Sequence, residues 1–201
     1  MSLNMQHMPL SMISEFLPDA QLLNMPSIDQ AIKRFISDSR QVVAGDVFIA
    51  LRGEKFDAHD FLNDVQAKGA LACLVSSVEK LPQGFPAIVV KDTQQAHVEI
   101  LGAYLESHDL FPKRVNVGFM EIVSSHHIRL RVFERGVGET LACGTGACAA
   151  VISGIKRHLL ISPVKVDMLG GSLSIDWKGS SYPVMMKGPA VTLYEGDIEI
   201  T

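Results

Sequence analysis

Residues 139–150 read Glu-Thr-Leu-Ala-Cys-Gly-Thr-Gly-Ala-Cys-Ala-Ala, a cysteine followed by the glycine-rich start of an apolar helix. Cys143 directly precedes the predicted helix, where unpaired N–H groups and the positive end of the helix dipole favour a thiolate. Gly144 and Thr145 open the helix, and their backbone can approach a carboxylate or phosphate closely. The pattern therefore predicts a reactive sulfur beside an anion site. The alternative is that Cys143 and Cys148 are small buried hydrophobic residues, which is our prediction for Cys148, inside the helix.

The segments on either side of this stretch alternate apolar and polar residues, which is typical of antiparallel strands with one face in water. Two strands are predicted before it, at residues 115–123 and 127–134, joined by a hairpin turn. The helix is predicted to extend from residue 144 to residue 158. Short strands are predicted after it, at residues 164–168, 173–177, 184–186 and 190–194. This order predicts an α+β lobe in which a β-rich wrap surrounds a central helix.

The first half of the chain has continuous apolar runs that alternate with helical patterns. Strands are predicted at residues 46–51, 71–75 and 87–90, with a helix at residues 59–68. Strands of this kind are buried on both faces, which predicts a small α/β domain with a mostly parallel sheet. The polar segment 92–97 is the predicted boundary, so the domains are expected at residues 1–96 and 97–201.

Composition and charge exclude several classes of protein. The 201 residues are 47% hydrophobic and 20% charged, with a net charge of −4, which does not favour a nucleic-acid binder. The longest uncharged stretch is shorter than the roughly 20 apolar residues of a membrane-spanning helix, and no basic residue precedes an apolar run at the N-terminus. Three cysteines do not suit a disulfide framework, and the histidines show no metal-ligand spacing. We therefore expect a cytoplasmic protein with no membrane partner, nucleic-acid partner or metal.

Polar residues near the end of the predicted strand 127–134 form a second candidate site. Glu134 and Arg135 precede Gly136, and such a pair can bind the ammonium and carboxylate groups of an amino acid. The alternative is an ordinary salt bridge at a solvated strand end. Asn116 lies within an apolar strand, where it needs a partner if it is buried. A structural hydrogen bond and a ligand contact are equally compatible with its position.

Residues 97–201 resemble the C-terminal lobe of the diaminopimelate epimerase family. The resemblance is carried by the Glu-Arg-Gly of residues 134–136, by residues 139–150, and by the segments around residues 105–123 and 186–196. It implies a cofactor-independent isomerase of lysine and peptidoglycan synthesis, in which a cysteine from each of two lobes faces the substrate Cα. The resemblance further implies that Cys143 is one of these thiols, that Gly144 and Thr145 hold the α-carboxylate, and that Asn116, Glu134 and Arg135 contact the substrate.

Residues 1–96 do not resemble the other lobe of that family. Cys73 is followed by leucine and valine in an apolar strand, so it is predicted to be a core residue. Residues 36–61 and 89–93 instead resemble the N-terminal domain of the Mur ligase family, above all the member that adds D-alanyl-D-alanine to UDP-MurNAc-tripeptide. The resemblance implies that Ser39, Arg40, Glu54, Lys55 and Phe56 line a site for the uridine and pyrophosphate.

The alternative for residues 38–40 is a turn with a local Asx hydrogen bond. No Gly-Lys-Ser or Gly-Lys-Thr occurs in the chain, so neither an ATP site nor ATP-dependent ligase activity is expected.

The chain is therefore predicted to be a chimera of a UDP-recognition domain and half of an epimerase, catalytically incomplete because the second thiol and the ATP site are missing. One alternative is an epimerase that is active when another chain supplies the missing lobe. Others are a non-catalytic module that binds a UDP-MurNAc-peptide, and an inactive fusion. The expected partner is a small molecule, diaminopimelate or UDP-MurNAc-peptide, with no cofactor. Self-association is expected through the face that the other lobe would cover.

Overall fold

A computed structural model describes residues 8–26, 29–53, 56–190 and 196. The chain divides into two compact units, Met1–Tyr104 (unit 1) and Leu105–Thr201 (unit 2). Both combine β-strands with a small number of helices. In the described part of the chain, no helix has both the length and the apolar character needed to cross a membrane.

Unit 1 is built on a five-stranded sheet. Its strands are β1 (Gln21–Leu23), β2 (Arg34–Ile36), β3 (Asp46–Ile49), β6 (Ala72–Val75) and β7 (Ala87–Val89), in the order β1-β7-β6-β3-β2. β2, β3, β6 and β7 are parallel, and β1 runs antiparallel to β7 at one edge. The parallel pairing predicted for this half is confirmed. Two short strands, β4 (Arg52–Gly53) and β5 (Phe56–Asp57), form a separate antiparallel pair.

The core of unit 1 lies on both faces of this sheet. Along β3, Val47 and Ile49 pack into one hydrophobic cluster, whereas Phe48 packs into the other. β6 alternates in the same way, because successive side chains of a strand point to opposite faces. The short helices α1 (Ile13–Phe16) and α2 (Leu62–Ala67) contribute to opposite clusters. Burial on both faces explains why β3 and β6 are continuously apolar.

The polar segment predicted as a domain boundary is the start of a helix, α3 (Thr93–Glu106). Asp92 Oδ1 accepts hydrogen bonds from the backbone N–H groups of Gln94 at 2.8 Å and Gln95 at 2.9 Å. An aspartate in this position satisfies N–H groups that have no partner within the helix. The polar residues are therefore a helix cap rather than a linker, and the two units divide later, after Tyr104.

Unit 2 contains a six-stranded sheet in which β9 (His127–Glu134) has three neighbours. It pairs antiparallel with β8 (Val117–Ser124) and β10 (Gly138–Thr140), and parallel with β11 (Val164–Met168). β12 (Gly171–Asp176) and β13 (Met185–Lys187) extend the sheet beyond β11. The β8–β9 hairpin agrees with the predicted strands, whereas the parallel β9–β11 pair was not predicted. The predicted strand at residues 190–194 lies almost wholly outside the described residues.

Helix α4 (Gly144–Lys156) supplies the other layer of the unit 2 core. Ala147 and Val151 are buried and pack with apolar residues of β9, β11 and β12. The helix ends two residues before the predicted position because His158 adopts a left-handed conformation, with φ of 58°. The first turn of α4 lies beside the β9–β10 turn, which places the residues of the candidate active site together.

Candidate active site

Cys143 immediately precedes helix α4 in an extended conformation, with φ of −144° and ψ of 105°. The residue is 7% exposed, and its carbonyl accepts the first helical hydrogen bond, from Ala147 N at 2.9 Å. Its sulfur bonds to Glu134 and does not cap the helix. The N–H groups of the first helical turn have no acceptor inside the helix, so Gly144 and Thr145 can present theirs to an anion.

Glu134 lies between a hydroxyl and a thiol. Thr140 Oγ1 donates to Glu134 Oε1 at 2.7 Å, and Cys143 Sγ donates to Glu134 Oε2 at 3.2 Å. The hydrogen bonds from Thr140 and Cys143 hold the pKa of Glu134 below its usual value, against the effect of desolvation. The carboxylate is therefore ionised at neutral pH. This hydrogen bond is one that the thiol form of Cys143 makes, because an S–H donor must carry its proton.

Thr145 also approaches the Cys143 sulfur. Its Oγ1 lies 3.4 Å from Cys143 Sγ. Gly146 is also close, because a Cβ atom at this position would lie 3.3 Å from Cys143 Sγ and 3.2 Å from Val132 Cγ2. The lack of a side chain at residue 146 therefore lets the helix approach both the sulfur and strand β9.

The side chain of Asn116 is hydrogen-bonded to the backbone of Arg135. Asn116 Oδ1 accepts a hydrogen bond from Arg135 N at 2.8 Å, while Arg135 Nη1 donates to Lys113 O at 3.0 Å. Both residues are exposed. Of the two roles that the sequence left open for Asn116, the structure shows the structural hydrogen bond.

A cavity of about 600 Å³ lies between strands β8 and β9 and helix α4. Of the residues predicted to contact the substrate, Asn116 and Thr145 line this cavity. Arg157 also lines it and adds a positive charge. Arg157 was not predicted to belong to the site, because the helix was predicted to continue to residue 158, whereas it ends at Lys156. The lining is Asn116, Gly118, Met120, Val132, Thr145, Gly146, Ala149, Ala150, Ser153 and Arg157.

The other two cysteines have different surroundings. Cys73 is buried in β6, and desolvation raises its pKa to about 12. Burial also raises the pKa of Cys148, which is half-buried within α4. Both thiols are therefore expected to be poor acid–base groups at neutral pH. Among the three cysteines of the chain, Cys143 alone directly precedes a helix and bonds to a carboxylate.

In unit 1, two of the residues predicted to bind a nucleotide, Arg40 and Phe56, contact side chains outside the predicted set. Ser39 and Arg40 lie in a 3₁₀ turn that follows Asp38. Asp38 Oδ1 accepts from Arg40 N at 3.0 Å, so the Asx turn is present. The Arg40 guanidinium also donates to both Asp38 oxygens, at 2.9 Å each, and holds the pKa of Asp38 well below its usual value. Glu54 and Lys55 lie outside the described residues.

Phe56 is exposed and stacks on Phe61, with ring centroids 5.4 Å apart and an angle of 24° between the ring planes. Two cavities share Phe56 and Ser37, one of about 450 Å³ and one of about 670 Å³. The smaller also contains Ser39 and Arg40. The larger contains Arg52 and Lys91, which the sequence analysis missed. Both cations follow a strand of the parallel sheet, where the carboxyl ends of the strands form a common binding edge.

Comparison with known protein families finds two matches, which overlap at residues 83–110. The family model for diaminopimelate epimerase matches residues 83–193, which is more than half of the chain. The chain belongs to the diaminopimelate epimerase family. A second family model, described as the catalytic domain of the Mur ligase family, matches residues 32–110. The predicted resemblance to both families is confirmed, and a chimera accounts for it.

Individual relatives show how much of a whole diaminopimelate epimerase this chain matches. Diaminopimelate epimerase of Herminiimonas arsenicoxydans is 62% identical over 112 residues, covering 56% of this chain and 40% of that protein. The enzyme of Ralstonia nicotianae is 49% identical over 146 residues, covering 73% of this chain and 49% of that protein. The chain thus spans less than half the length of the curated epimerases it matches.

The solved structures that resemble this chain include a Mur ligase. This is the Acinetobacter baumannii UDP-N-acetylmuramoylalanyl-D-glutamyl-2,6-diaminopimelate–D-alanyl-D-alanyl ligase, which is 30% identical. The match has a TM-score of 0.45 and covers 53% of this chain and 23% of the ligase.

Proposed function

We propose that unit 2 supplies one of the two acid–base thiols, and part of the substrate site, of an epimerase that acts on diaminopimelate. The observation that carries the proposal is the hydrogen bond from Cys143 Sγ to the Glu134 carboxylate at the start of α4. It supports the proposal because the Cys143 S–H group lies at the start of a helix whose free backbone N–H groups can receive a carboxylate. The high identity to epimerases in this region supports diaminopimelate as the substrate.

The proposed reaction inverts the α-carbon by two proton transfers. A base on one face removes the α-proton, and the electron pair of the broken C–H bond moves into the carboxylate. The N–H groups of Gly144 and Thr145 stabilise this charge, because they face the oxygens on which it develops. Cys143 then gives its S–H proton to the opposite face of the carbon and becomes a thiolate. In the reverse direction, Cys143 is the base.

The first base is not supplied by the other cysteines of this chain, because Cys73 is buried in the sheet and Cys148 lies within α4. We therefore propose that these 201 residues alone do not interconvert the stereoisomers at a useful rate. A positioned acid or base contributes about 10²–10⁴-fold, so the loss of one partner is severe. An epimerase lobe on another chain would restore activity by providing the opposite thiol.

The test is to incubate the chain with LL-diaminopimelate and, in parallel, with meso-diaminopimelate in deuterated water, and to follow both deuterium at the α-carbon and the inverted product. Because Cys143 can remove a proton only from its own side of the carbon, we expect slow deuterium uptake with retention at the stereocentre whose α-proton faces Cys143. Cys143→Ala should abolish this uptake, and Cys148→Ala should leave it unchanged. Inverted product that depends on Cys143 would show that the active site is complete and would contradict the proposed incompleteness. No exchange in any variant would contradict the half-site itself.

A second function is proposed for unit 1, recognition of the uridine diphosphate end of a UDP-MurNAc-peptide. The supporting observation is the exposed, stacked Phe56 between two cavities that also contain Arg40, Arg52 and Lys91. An aromatic face can stack on a base, and the cations can neutralise phosphates. Because Arg40 is already paired with Asp38 and Arg52 with Asp57, we assign more of the phosphate binding to Lys91.

Calorimetry with UDP and with UDP-MurNAc-tripeptide tests this second function. We expect a dissociation constant of about 1 mM for UDP, equivalent to about −4 kcal/mol, because a ligand on open cavities keeps much of its surface in water. Phe56→Ala and Lys91→Ala should each weaken binding. Lys33→Ala is the matched control, because Lys33 is exposed and does not line either cavity. Equal weakening by Lys33→Ala would indicate non-specific charge attraction.

A further inference from the structure

Glu106 is a buried carboxylate beside the candidate active site, and no role has yet been given to it. It ends helix α3, lies within unit 2 and is 6% exposed. Its Oε1 accepts hydrogen bonds from Gly136 N at 2.9 Å and from Arg114 Nη1 at 3.2 Å. Burying a carboxylate is costly unless it is paired and hydrogen-bonded. These two hydrogen bonds offset the cost of burying the carboxylate, and one of them comes from Gly136, in the turn that follows Glu134.

Residues 134–137 form this turn between β9 and β10, and Val137 N donates a hydrogen bond across it to Glu134 O at 3.1 Å. Gly136 has φ of 73°, a conformation that favours glycine. Two consecutive N–H groups of the turn bond to side-chain oxygens, Arg135 N to Asn116 and Gly136 N to Glu106. Glu106 and Asn116 therefore hold the turn by its backbone at two adjacent points.

The position of the turn decides where Glu134 lies. Glu134 is the last residue of β9, and its carboxylate reaches both Thr140 and Cys143. A shift of this strand end would lengthen the 3.2 Å contact between Glu134 and the thiol, since hydrogen bonds weaken steeply with distance and angle. We propose that Glu106 is a positioning residue, which keeps Glu134 in hydrogen-bond contact with Cys143 by holding the backbone of Gly136. This inference rests on the proposed function of Cys143.

The proposal requires an acceptor oxygen of residue 106 within hydrogen-bond distance of Gly136 N, and it does not require a negative charge. Two conservative variants separate the effect of the oxygen's position from the effect of the charge. Glu106→Gln keeps an oxygen that can accept from Gly136 N and Arg114, although it loses the charge. Glu106→Asp keeps the charge, but it is one methylene shorter and its oxygens fall out of reach of Gly136 N. The matched control is Glu121→Asp, because Glu121 is an exposed carboxylate of β8 whose partner is Arg129.

The experiment measures the rate of alkylation of Cys143 by iodoacetamide as a function of pH in the full chain, with Cys148 of the same helix as internal reference. Losing the Glu134 contact frees the thiol to ionise. We expect Glu106→Asp to alkylate Cys143 about tenfold faster at neutral pH, the factor for a hydrogen bond to a charged group. Its pH profile should move to lower pH, with the rate at Cys148 unchanged. Glu106→Gln and Glu121→Asp should keep the wild-type profile.

An unchanged Cys143 profile in Glu106→Asp would overturn the proposal. So would a parallel acceleration at Cys148, because that result indicates general loosening of unit 2. A shift in Glu106→Gln equal to that in Glu106→Asp would also overturn it, since it would assign the effect to charge. Alkylation requires no diaminopimelate, so these outcomes are independent of the deuterium-exchange test of the proposed function.

Discussion

At the scale of single residues, close packing leaves no space for a larger side chain at several positions. Gly154 of α4 is the clearest example, because a Cβ atom there would lie 2.7 Å from Leu160 Cγ. Leu160 is itself buried in the unit 2 core and cannot turn into solvent. The contact joins α4 to the segment that leads into β11, so this glycine is needed for packing rather than for backbone freedom.

We expect Gly154→Ala to lower the free energy of unfolding of unit 2 by about 1 kcal/mol. Alanine gains about 1 kcal/mol of helix propensity, but overpacking a buried site costs about 1–3 kcal/mol. Urea unfolding followed by circular dichroism measures the difference. Ser153→Ala, at the adjacent exposed position, is the control and should change stability by less than about 0.5 kcal/mol. A more stable Gly154→Ala variant would show that Leu160 moves aside at little cost.

Asp57 gives unit 1 a defined response to acid. Desolvation raises the pKa of Asp57, but hydrogen bonds from the His59 backbone and ring outweigh it, and the pKa falls to about 2. His59 Nδ1 lies 2.6 Å from Asp57 Oδ1, and His59 Nε2 accepts from Ser76 N at 3.0 Å. Because Nε2 accepts a hydrogen bond, His59 carries its proton on Nδ1 and donates it to Asp57.

A carboxylate whose pKa is lower in the folded state stabilises the fold above its unfolded pKa, about 4, and loses this contribution as the pH falls toward its folded value. The stability of unit 1 should therefore decrease between about pH 4 and pH 2. Asp57→Asn has no carboxylate to titrate, so its unfolding free energy should fall less steeply in this window. Urea titrations at several pH values provide the comparison, and identical slopes for the two proteins would count against the assignment.

At the scale of secondary-structure elements, Asp92 caps the start of α3 with its side chain. Two N–H groups depend on the carboxylate of Asp92. We expect Asp92→Ala to destabilise the protein by about 1 kcal/mol and Asp92→Asn to have little effect, because asparagine is also a good N-cap. Thermal unfolding tests the pair. Equal losses in both variants would assign the effect to charge instead of capping.

This helix also shows where sequence-based prediction succeeds and fails. Strands β3 and β6 are recognisable because burial on both faces makes every residue apolar, and the start of α4 is recognisable from Cys143-Gly144. The start of α3 is polar because its N–H groups need a cap, and polar residues in a row look like a linker. The β9–β11 pair depends on residues that are distant in the chain, such as His127 and Lys165, and no local pattern contains that register.

The candidate active site shows the same limit. Cys143 and Glu134 are both identifiable from the sequence, but their hydrogen bond is not, because it depends on the β9–β10 turn. The sequence predicted a thiolate from the helix end alone. The structure adds the Glu134 carboxylate, which accepts a hydrogen bond from the Cys143 S–H group. Arg52 and Lys91 were missed because an isolated cation has no distinguishing local pattern. Arg157 was missed because basic residues are common at the C-terminal end of a helix, where they interact with its dipole.

At the scale of the whole molecule, the division after Tyr104 predicts the products of limited proteolysis. Segment 92–97 should resist cleavage because it is helical, whereas residues 107–116 contain no helix or strand. Leu110 is largely exposed in that segment. We expect chymotrypsin to cut after Leu110 first and to leave two protected fragments. Leu110→Asp should remove that cleavage, and rapid loss of either fragment would contradict independent folding of the units.

Exposed apolar side chains surround the start of α4 in unit 2. Leu141 is 67% exposed, Leu169 57% and Met186 54%. Leu141 and Leu169 are neighbours through the hydrogen bond from Gly170 N to Leu141 O at 2.7 Å, and Met186 contacts the position of Gly144. We propose that a second copy of the chain covers this face, since exposed apolar patches favour association. Sedimentation should show concentration-dependent dimers that Leu141→Asp weakens, whereas a strict monomer would contradict the proposal.

The hydrogen bonds around Cys143 also have a consequence for the order of folding. Glu134 is nine residues from Cys143 and six from Thr140, so these contacts close only short loops. The sheet, in contrast, is completed only when β11 returns to pair with β9 from the far side of α4. Contacts at small sequence separation form early because they lose little chain entropy on closure. A nascent chain can therefore assemble the surroundings of its thiol before the strands that complete the core have joined.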